Sequence, residues 1–422
     1  MTTLWDTTGT AVVKALAAER RSGGAVMSGL ALTLVVVVDE KDVHEAEAAA
    51  TTAASLHPCR LLIVIRRQVE APIPRLDAEV LVGGRLGPGE AVVMRMYGRL
   101  SLHAESVVLP LLAADAPVVT WWYGAPPDRI AHDPLGVFAD RRVTDIRRSE
   151  NPADGLRLRA EDYVPGDTDL AWTRTTPWRA ELASAFDTVR SAPKAATVTG
   201  KQDDPAALLL AGWMSSRFGC EVPVEQAGGR AAGAGGIGVS EIRIELVDGN
   251  TVTLSRKDAT SVLLQRSEQP DSTVALPERQ LGDLLAEELR RLDADQPYAE
   301  SLGVAAGVPG LAARPDEPRT LIWVDPMASS AAPVAAQSSV ASPAAVAAKS
   351  PGPAAGSSPG SAGGSSPGSA GSGSAGGSAG TAGPDEAAHP AVGGEAGPAP
   401  EAKPAAETDD EAGPAGGPEP LA

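Results

Sequence analysis

Residues 30–38 (LALTLVVVV) form an apolar run rich in β-branched side chains, with no polar alternation. A strand buried on both faces of a sheet reads this way, because neither set of alternate side chains meets water. Residues 43–56 follow as an Ala/Glu-rich helical stretch, and His57-Pro58 ends it. Proline disfavours helical geometry in the residue before it. Residues 60–66 (RLLIVIR) read as the next buried strand, so the chain opens on a β–α–β unit, the basic piece of a parallel sheet. Strands are expected over 79–82 and 90–100, joined by an LGPGE turn. The second alternates apolar and polar residues (VVMRMYGRL), which puts one face on the core and one toward solvent or a partner. Residues 104–113 read as a short apolar helix and 117–122 (PVVTWW) as a third core strand, while 128–154 mix helix and strand signals.

A second pattern begins near Asp169, with DLAWTRTTPWRAELASAF. Thr176 before Pro177 predicts a helix start, a capping hydroxyl followed by proline at the first helical position. A strand is expected over 195–199 and a helix over 205–218, with Leu and Trp on one face. Residues 237–246 (IGVSEIRIEL) alternate well, and VDGN then makes a tight hairpin turn. The strands 251–256 and 261–266 continue a meander, and an amphipathic helix over 276–292 closes the region. Strands in succession flanked by helices suggest an antiparallel sheet covered on one face. The fold class expected is therefore an α/β N-terminal domain with a mainly parallel or mixed sheet over 1–165, then an α+β C-terminal domain over 166–325. A disordered Ala/Gly/Pro/Ser-rich tail is expected over 326–422.

The tail follows from composition. All seven Trp, four Tyr and three Phe precede Met327, and beyond it come repeats such as SSPGSAGG and SSPGSAGS. Without large apolar side chains, ordering entropy has nothing to offset it. A formal net charge of −18 argues against non-specific binding to nucleic acid or anionic membrane. Arg141, Arg142, Arg147, Arg148, Arg157 and Arg159 nevertheless cluster. They read either as a solvated rim balancing nearby carboxylates or as a seat for a phosphorylated small molecule or an acidic protein face. Two cysteines, Cys59 and Cys220, exclude a disulfide framework and a four-cysteine zinc site. No signal-peptide pattern opens MTTLWDTTGT, the run 107–123 is broken by Pro110, Asp115 and Pro117, and a cytoplasmic protein is expected.

No catalytic set can be assembled, and neither a metal nor a cofactor is expected. His44, His57, His103 and His132 show no zinc-ligand spacing, and His57 and Cys59 straddle a proline at a strand entrance. GAGGIG, within 228–238, lacks the preceding strand and following helix that a phosphate-cradling loop needs. Asp39-Glu40 after a strand suits a solvated helix start as well as acid–base work. The aromatic and arginine groups are more telling. Trp121, Trp122 and Tyr123 end a strand at its carboxyl edge, where α/β proteins place ligands. Trp172, Arg174, Trp178 and Arg179 bracket Thr175-Thr176-Pro177. Trp and Arg carry much of the binding energy at protein interfaces, which makes these seven candidate partner-binding residues; core packing and a domain hinge are the plainer reading.

DLAWTRTTPWRAELASAFD closely resembles the signature of the glucose-6-phosphate dehydrogenase assembly protein (OpcA) family. SLHPCRLLIVI at 55–65 and VVLPLLAADAPVVTWWYGAPP at 107–127 resemble two further blocks of that family, in the same order and with similar spacing. The resemblance covers roughly 20–300 and leaves out the tail. It implies a non-catalytic protein that binds glucose-6-phosphate dehydrogenase and raises its activity at the entry to the oxidative pentose phosphate pathway. It also implies thiol-redox control in photosynthetic relatives, for which Cys59 and Cys220 are the only thiols here. Two other readings stay open: a sugar-phosphate- or nucleotide-binding α/β enzyme with its ligand near Trp121–Tyr123, and a scaffold working through its tail.

Overall fold

The computed structural model describes residues 1–22, 30–83, 89–201, 203–226 and 238–321. The chain first lays down β1 (Thr2–Leu4), α1 (Gly9–Ser22), β2 (Leu32–Val38), α2 (Val43–Leu56), β3 (Cys59–Arg67), β4 (Arg75–Val82) and β5 (Glu90–Tyr97). Next come α3 (Glu105–Val108), β6 (Val118–Trp122), β7 (Arg141–Thr144), α4 (Pro152–Asp162) and β8 (Asp167–Asp169). The second half is α5 (Leu170–Arg174), α6 (Thr176–Phe186), β9 (Pro193–Gly200), α7 (Pro205–Phe218), β10 (Val224–Gln226) and β11 (Val239–Leu246). It ends with β12 (Thr251–Arg256), β13 (Ser261–Arg266), β14 (Ser272–Ala275), α8 (Leu281–Glu288) and α9 (Gln296–Ala306). The tail expected over 326–422 and the LGPGE turn's 86–88 lie outside the described residues.

The first sheet is mixed, in the order β1-β4-β5-β3-β2-β6-β7-β8. From β5 to β8 the neighbours run parallel, and β4 and β1 finish one edge antiparallel. Every residue of β2 is buried, as an apolar run without alternation requires. Leu32, Leu34, Val36 and Val38 face one core with Ala46, Ala50 and Ala53 of α2, while Val35 and Val37 face the other with Val12 and Leu16 of α1. The second sheet, in the order β10-β9-β11-β12-β13-β14, is antiparallel except for the β10–β9 pair. Its alternate residues Val198, Ile242, Ile244, Val252, Leu254 and Val262 form a third core with α6 and α7. A fourth core gathers α4, α5, α7 and α9 around Trp172 and Tyr298. All the described residues belong to one compact unit.

Four expectations need correction. Helix α8 is shorter than 276–292, and it does not close the second sheet: Leu284, Leu285 and Leu289 bury against α2 in the first sheet's core. The apolar stretch 104–113 gives one helical turn and then a 3-10 turn over Leu109–Leu111, because Pro110 has no N–H to donate. Thr176 does not cap α6; its hydroxyl donates to Glu287 at 2.8 Å. The arginines of 141–159 are not simply a solvated rim, since Arg141, Arg142 and Arg159 are buried. Arg142 pairs with Asp167 and donates to the carbonyls of Ala139 and Pro165, so a buried charge is offset by a full set of acceptors.

Candidate functional site

The segment that opens at Asp169 lies where the two sheets' helices meet. Asp169 starts α5 by accepting from the Ala171 N–H at 2.8 Å. The helix stops at Thr175, whose hydroxyl turns back to the Trp172 carbonyl at 2.7 Å, and α6 restarts at once with Pro177 in its first turn. The side chains of this short stretch reach α8, α9 and the end of β7. Arg174 grips Asp145, just beyond β7, with two hydrogen bonds of 2.8 Å. Thr173 donates to Glu288 of α8 at 2.6 Å, and the Trp172 indole donates to Asp295, the N-cap of α9, at 2.8 Å. Glu288 is also held by the buried Arg141.

Two clefts flank this segment. The first, about 270 Å³, is walled by Pro177, Trp178, Ala206, Val239, Leu276 and Pro277, with Arg147, Arg174, Arg256 and Arg279 among its polar lining. The second is wider, about 630 Å³, and is lined by Arg141, Thr176, Arg179, Glu287, Arg290 and Arg291 among others. Arg179 stands between them in role. Its guanidinium lies 3.6 Å from the Trp172 ring centroid and donates to the hydroxyls of Thr175 and Thr176, both at 2.9 Å. Among the described residues it has no carboxylate within ion-pair distance. Burial holds its pKa below the usual guanidinium value.

The electrostatics beneath are those of a buried network. Asp145 and Asp169 are both buried, and Arg174 neutralises only the first. Burial first, and then the Asp145 charge, raise the Asp169 carboxyl to about 6. Its oxygens accept from the Thr144 hydroxyl and from the Ile146 and Ala171 N–H groups, which limits the rise.

The seven candidate residues divide into two groups. Trp121 and Tyr123 are buried in one core of the first sheet and Trp122 in the other. Neither Trp121 nor Trp122 has a protein partner for its indole N–H among the described residues. The chain reverses its direction of strand addition between β2 and β6, which is where an open α/β sheet holds a ligand at its carboxyl edge. Here Tyr123 stacks under Arg148, 4.0 Å from its ring centroid, and its hydroxyl meets both Arg148 and Glu45. Trp172, Arg174, Trp178 and Arg179 do come together, the first in the α4–α9 core and the other three at the two clefts.

Several lining residues escaped the sequence reading. Arg256 looked like an ordinary strand end, and Glu287, Glu288, Arg290 and Arg291 like the polar face of a helix. Nothing local marks them, because their partners lie far away in sequence. Arg141 and Arg147 stood out only as members of a cluster. Of the GAGGIG stretch, 228–237 lie outside the described residues; Gly238, at φ +88°, reaches the first cleft and leads into β11. Cys59 is buried and its thiol is pushed up to about 12, which leaves little reactive thiolate. Among the described residues no cluster of three or more metal-ligating side chains occurs, and no helix is long and apolar enough to cross a membrane.

Two family models match successive stretches of the chain. Residues 50–161 match the model of the glucose-6-phosphate dehydrogenase subunit N-terminal domain, and residues 165–302 that of the subunit's C-terminal domain. No curated protein matches the sequence. Among solved structures, KijD10, a 3-ketoreductase from Actinomadura kijaniata, aligns at 12% identity over 66% of this chain and 96% of its own, with a TM-score of 0.33. Tryptophan synthase from M. tuberculosis aligns at 14% identity over 52% of this chain and 88% of its own, with a TM-score of 0.16. At such scores neither likeness bears on fold or function. With both of its domain models matched in order over more than half its length, the chain belongs to the glucose-6-phosphate dehydrogenase assembly (OpcA) family.

Proposed function

We propose that this chain is a non-catalytic cytoplasmic partner of glucose-6-phosphate dehydrogenase that assembles with the enzyme and raises its activity. The observation that carries the reading is Arg179. A guanidinium held by a ring and two hydroxyls, with no carboxylate within ion-pair distance among the described residues, lines a cleft of about 630 Å³ that also holds the carboxylates of Glu287, Glu288, Asp293 and Asp295. Such a group has already lost most of its rotamer freedom, so a carboxylate from a partner gains a bidentate ion pair at little further entropy cost. The family's name points to the partner, and the cleft beside Arg179 supports a contact there. Trp172 carries the Arg179 guanidinium on its ring, Arg174 and Trp178 fix the segment, and Arg179 makes the contact, while Trp121, Trp122 and Tyr123 lie in the cores of the first sheet.

Activation follows by linkage. A subunit that binds the active form of the enzyme better than other forms shifts the enzyme toward it. The experiment is co-elution and calorimetric titration of the purified chain with glucose-6-phosphate dehydrogenase from the same organism. Wild type should form a stoichiometric complex. Arg179→Ala should weaken it by about tenfold or more, as expected for a central charged anchor. Arg157→Ala, at an exposed site away from both clefts, should leave it unchanged. Equal affinity of the wild-type and Arg179→Ala chains would remove Arg179 from the contact.

A further inference from the structure

The first cleft has a different character. Its wall is apolar and rigid. Trp178 is buried in the third core, Pro177 and Pro277 are conformationally fixed, and Ala206 starts a helix whose cap, Asp204, is satisfied by two backbone N–H groups. Opposite the wall are four guanidinium groups in a chain whose net charge is −18. Two of them are spoken for: Arg174 is locked to Asp145, and Arg279 to Glu287. Arg147 makes a long ion pair of 3.8 Å with Glu278, an exposed residue that also lines the cleft. Arg256 has no carboxylate within ion-pair distance among the described residues. Its Nη1 donates to the Leu276 carbonyl at 2.6 Å, and its guanidinium lies 5.1 Å from the centroid of the Trp178 ring. It is half-buried, and burial lowers its pKa.

We propose that this cleft is a binding site for a small organic anion: a phosphate or carboxylate on an apolar, preferably aromatic, body. The anion sits against Arg256 and Arg147, and the body against Trp178, Pro177 and Leu276. Arginine suits both parts, since its planar fork matches an oxyanion while its face stacks on rings. A volume of about 270 Å³ sits just under the range of drug-sized sites, which sets the ligand at about a mononucleotide or smaller and excludes a dinucleotide. An acidic chain around a basic pocket also excludes a nucleic-acid strand, whose backbone would meet repulsion on leaving the cleft. A cation is excluded by the arginines themselves.

The test needs only the full chain. Phenyl phosphate is titrated calorimetrically against wild type, with inorganic phosphate and phenol as the anion and the ring alone. Saturable binding of phenyl phosphate with Kd below about 1 mM, and binding of either half at least about tenfold weaker, is the expected result. Benzoate in the same titration reports whether the arginines prefer carboxylate, and tight binding by either compound supports the site. Arg256→Gln should weaken binding about tenfold. Ala259→Leu, which fills the cleft from an exposed lining position, should do the same and carries the test should Arg256→Gln not fold. Binding of phenyl phosphate and benzoate no tighter than that of inorganic phosphate, or unchanged binding in Ala259→Leu, overturns the proposal.

Discussion

Arg174, Arg179 and Arg256 lie within one region and meet three different fates. Arg174 is closed in a bidentate pair with Asp145, Arg179 is stacked on Trp172 and held by hydroxyls, and Arg256 has a single carbonyl and the face of Trp178. The difference is one of counter-charge, which a sequence does not display. Asp169 makes the same point with the opposite sign. Burial first, and then the charge of Asp145, which takes both hydrogen bonds of Arg174, penalise its ionisation. Because its folded pKa, about 6, is above the unfolded value, the folded state holds the extra proton between roughly pH 4 and 6. Asp169 therefore favours folding most at the acid end of that window, and its contribution falls as pH rises through 6. Asp169→Asn has no such proton to lose. The stability of wild type relative to this variant, from urea unfolding, should fall between pH 4.5 and 7 by about 1–3 kcal/mol. A constant difference would place the carboxyl in its ordinary range.

At the scale of elements, two close approaches lock the architecture. A Cβ on Gly212 of α7 would come within 2.4 Å of the Ser301 carbonyl of α9, and one on Gly282 of α8 within 2.6 Å of Thr52 of α2. Backbone does not yield as a side-chain tip does, so Gly212→Ala should cost about 1–3 kcal/mol in thermal or denaturant unfolding. Loss of nothing measurable would mean that α7 and α9 can separate freely. The strands and helices with a clean period were legible in the sequence: α2, α7, β12 and β13 fall at the expected bounds. What escaped was context. RRVT reads as polar, yet β7 is buried because Arg141 and Arg142 find Glu288 and Asp167. The 276–292 pattern was amphipathic as read, but periodicity does not say which sheet the apolar face will meet. The signature segment was visible as a block of Trp and Arg, whereas its two clefts depend on α8, α9 and β12, far along the chain.

At the scale of the whole molecule, one short segment ties both sheets together. Asp169–Arg179 bonds to the end of β7, to α8 and to the cap of α9, and both clefts open against it. A partner that engages Arg179 would thus touch a segment bonded to several elements, and Leu284, Leu285 and Leu289, late in the chain, are needed to finish the first sheet's core. The central claim is that this assembly raises the activity of glucose-6-phosphate dehydrogenase while the chain turns over nothing itself. A steady-state titration of the chain into the purified enzyme, following NADPH at several glucose 6-phosphate concentrations, addresses it directly. The expected result is a saturable rise in kcat/KM, set by the ratio of the two proteins, with no NADPH formed by the chain alone and a smaller rise at equal concentration of Arg179→Ala. An unchanged rate at every ratio, or NADPH formation by the chain without the enzyme, would contradict it.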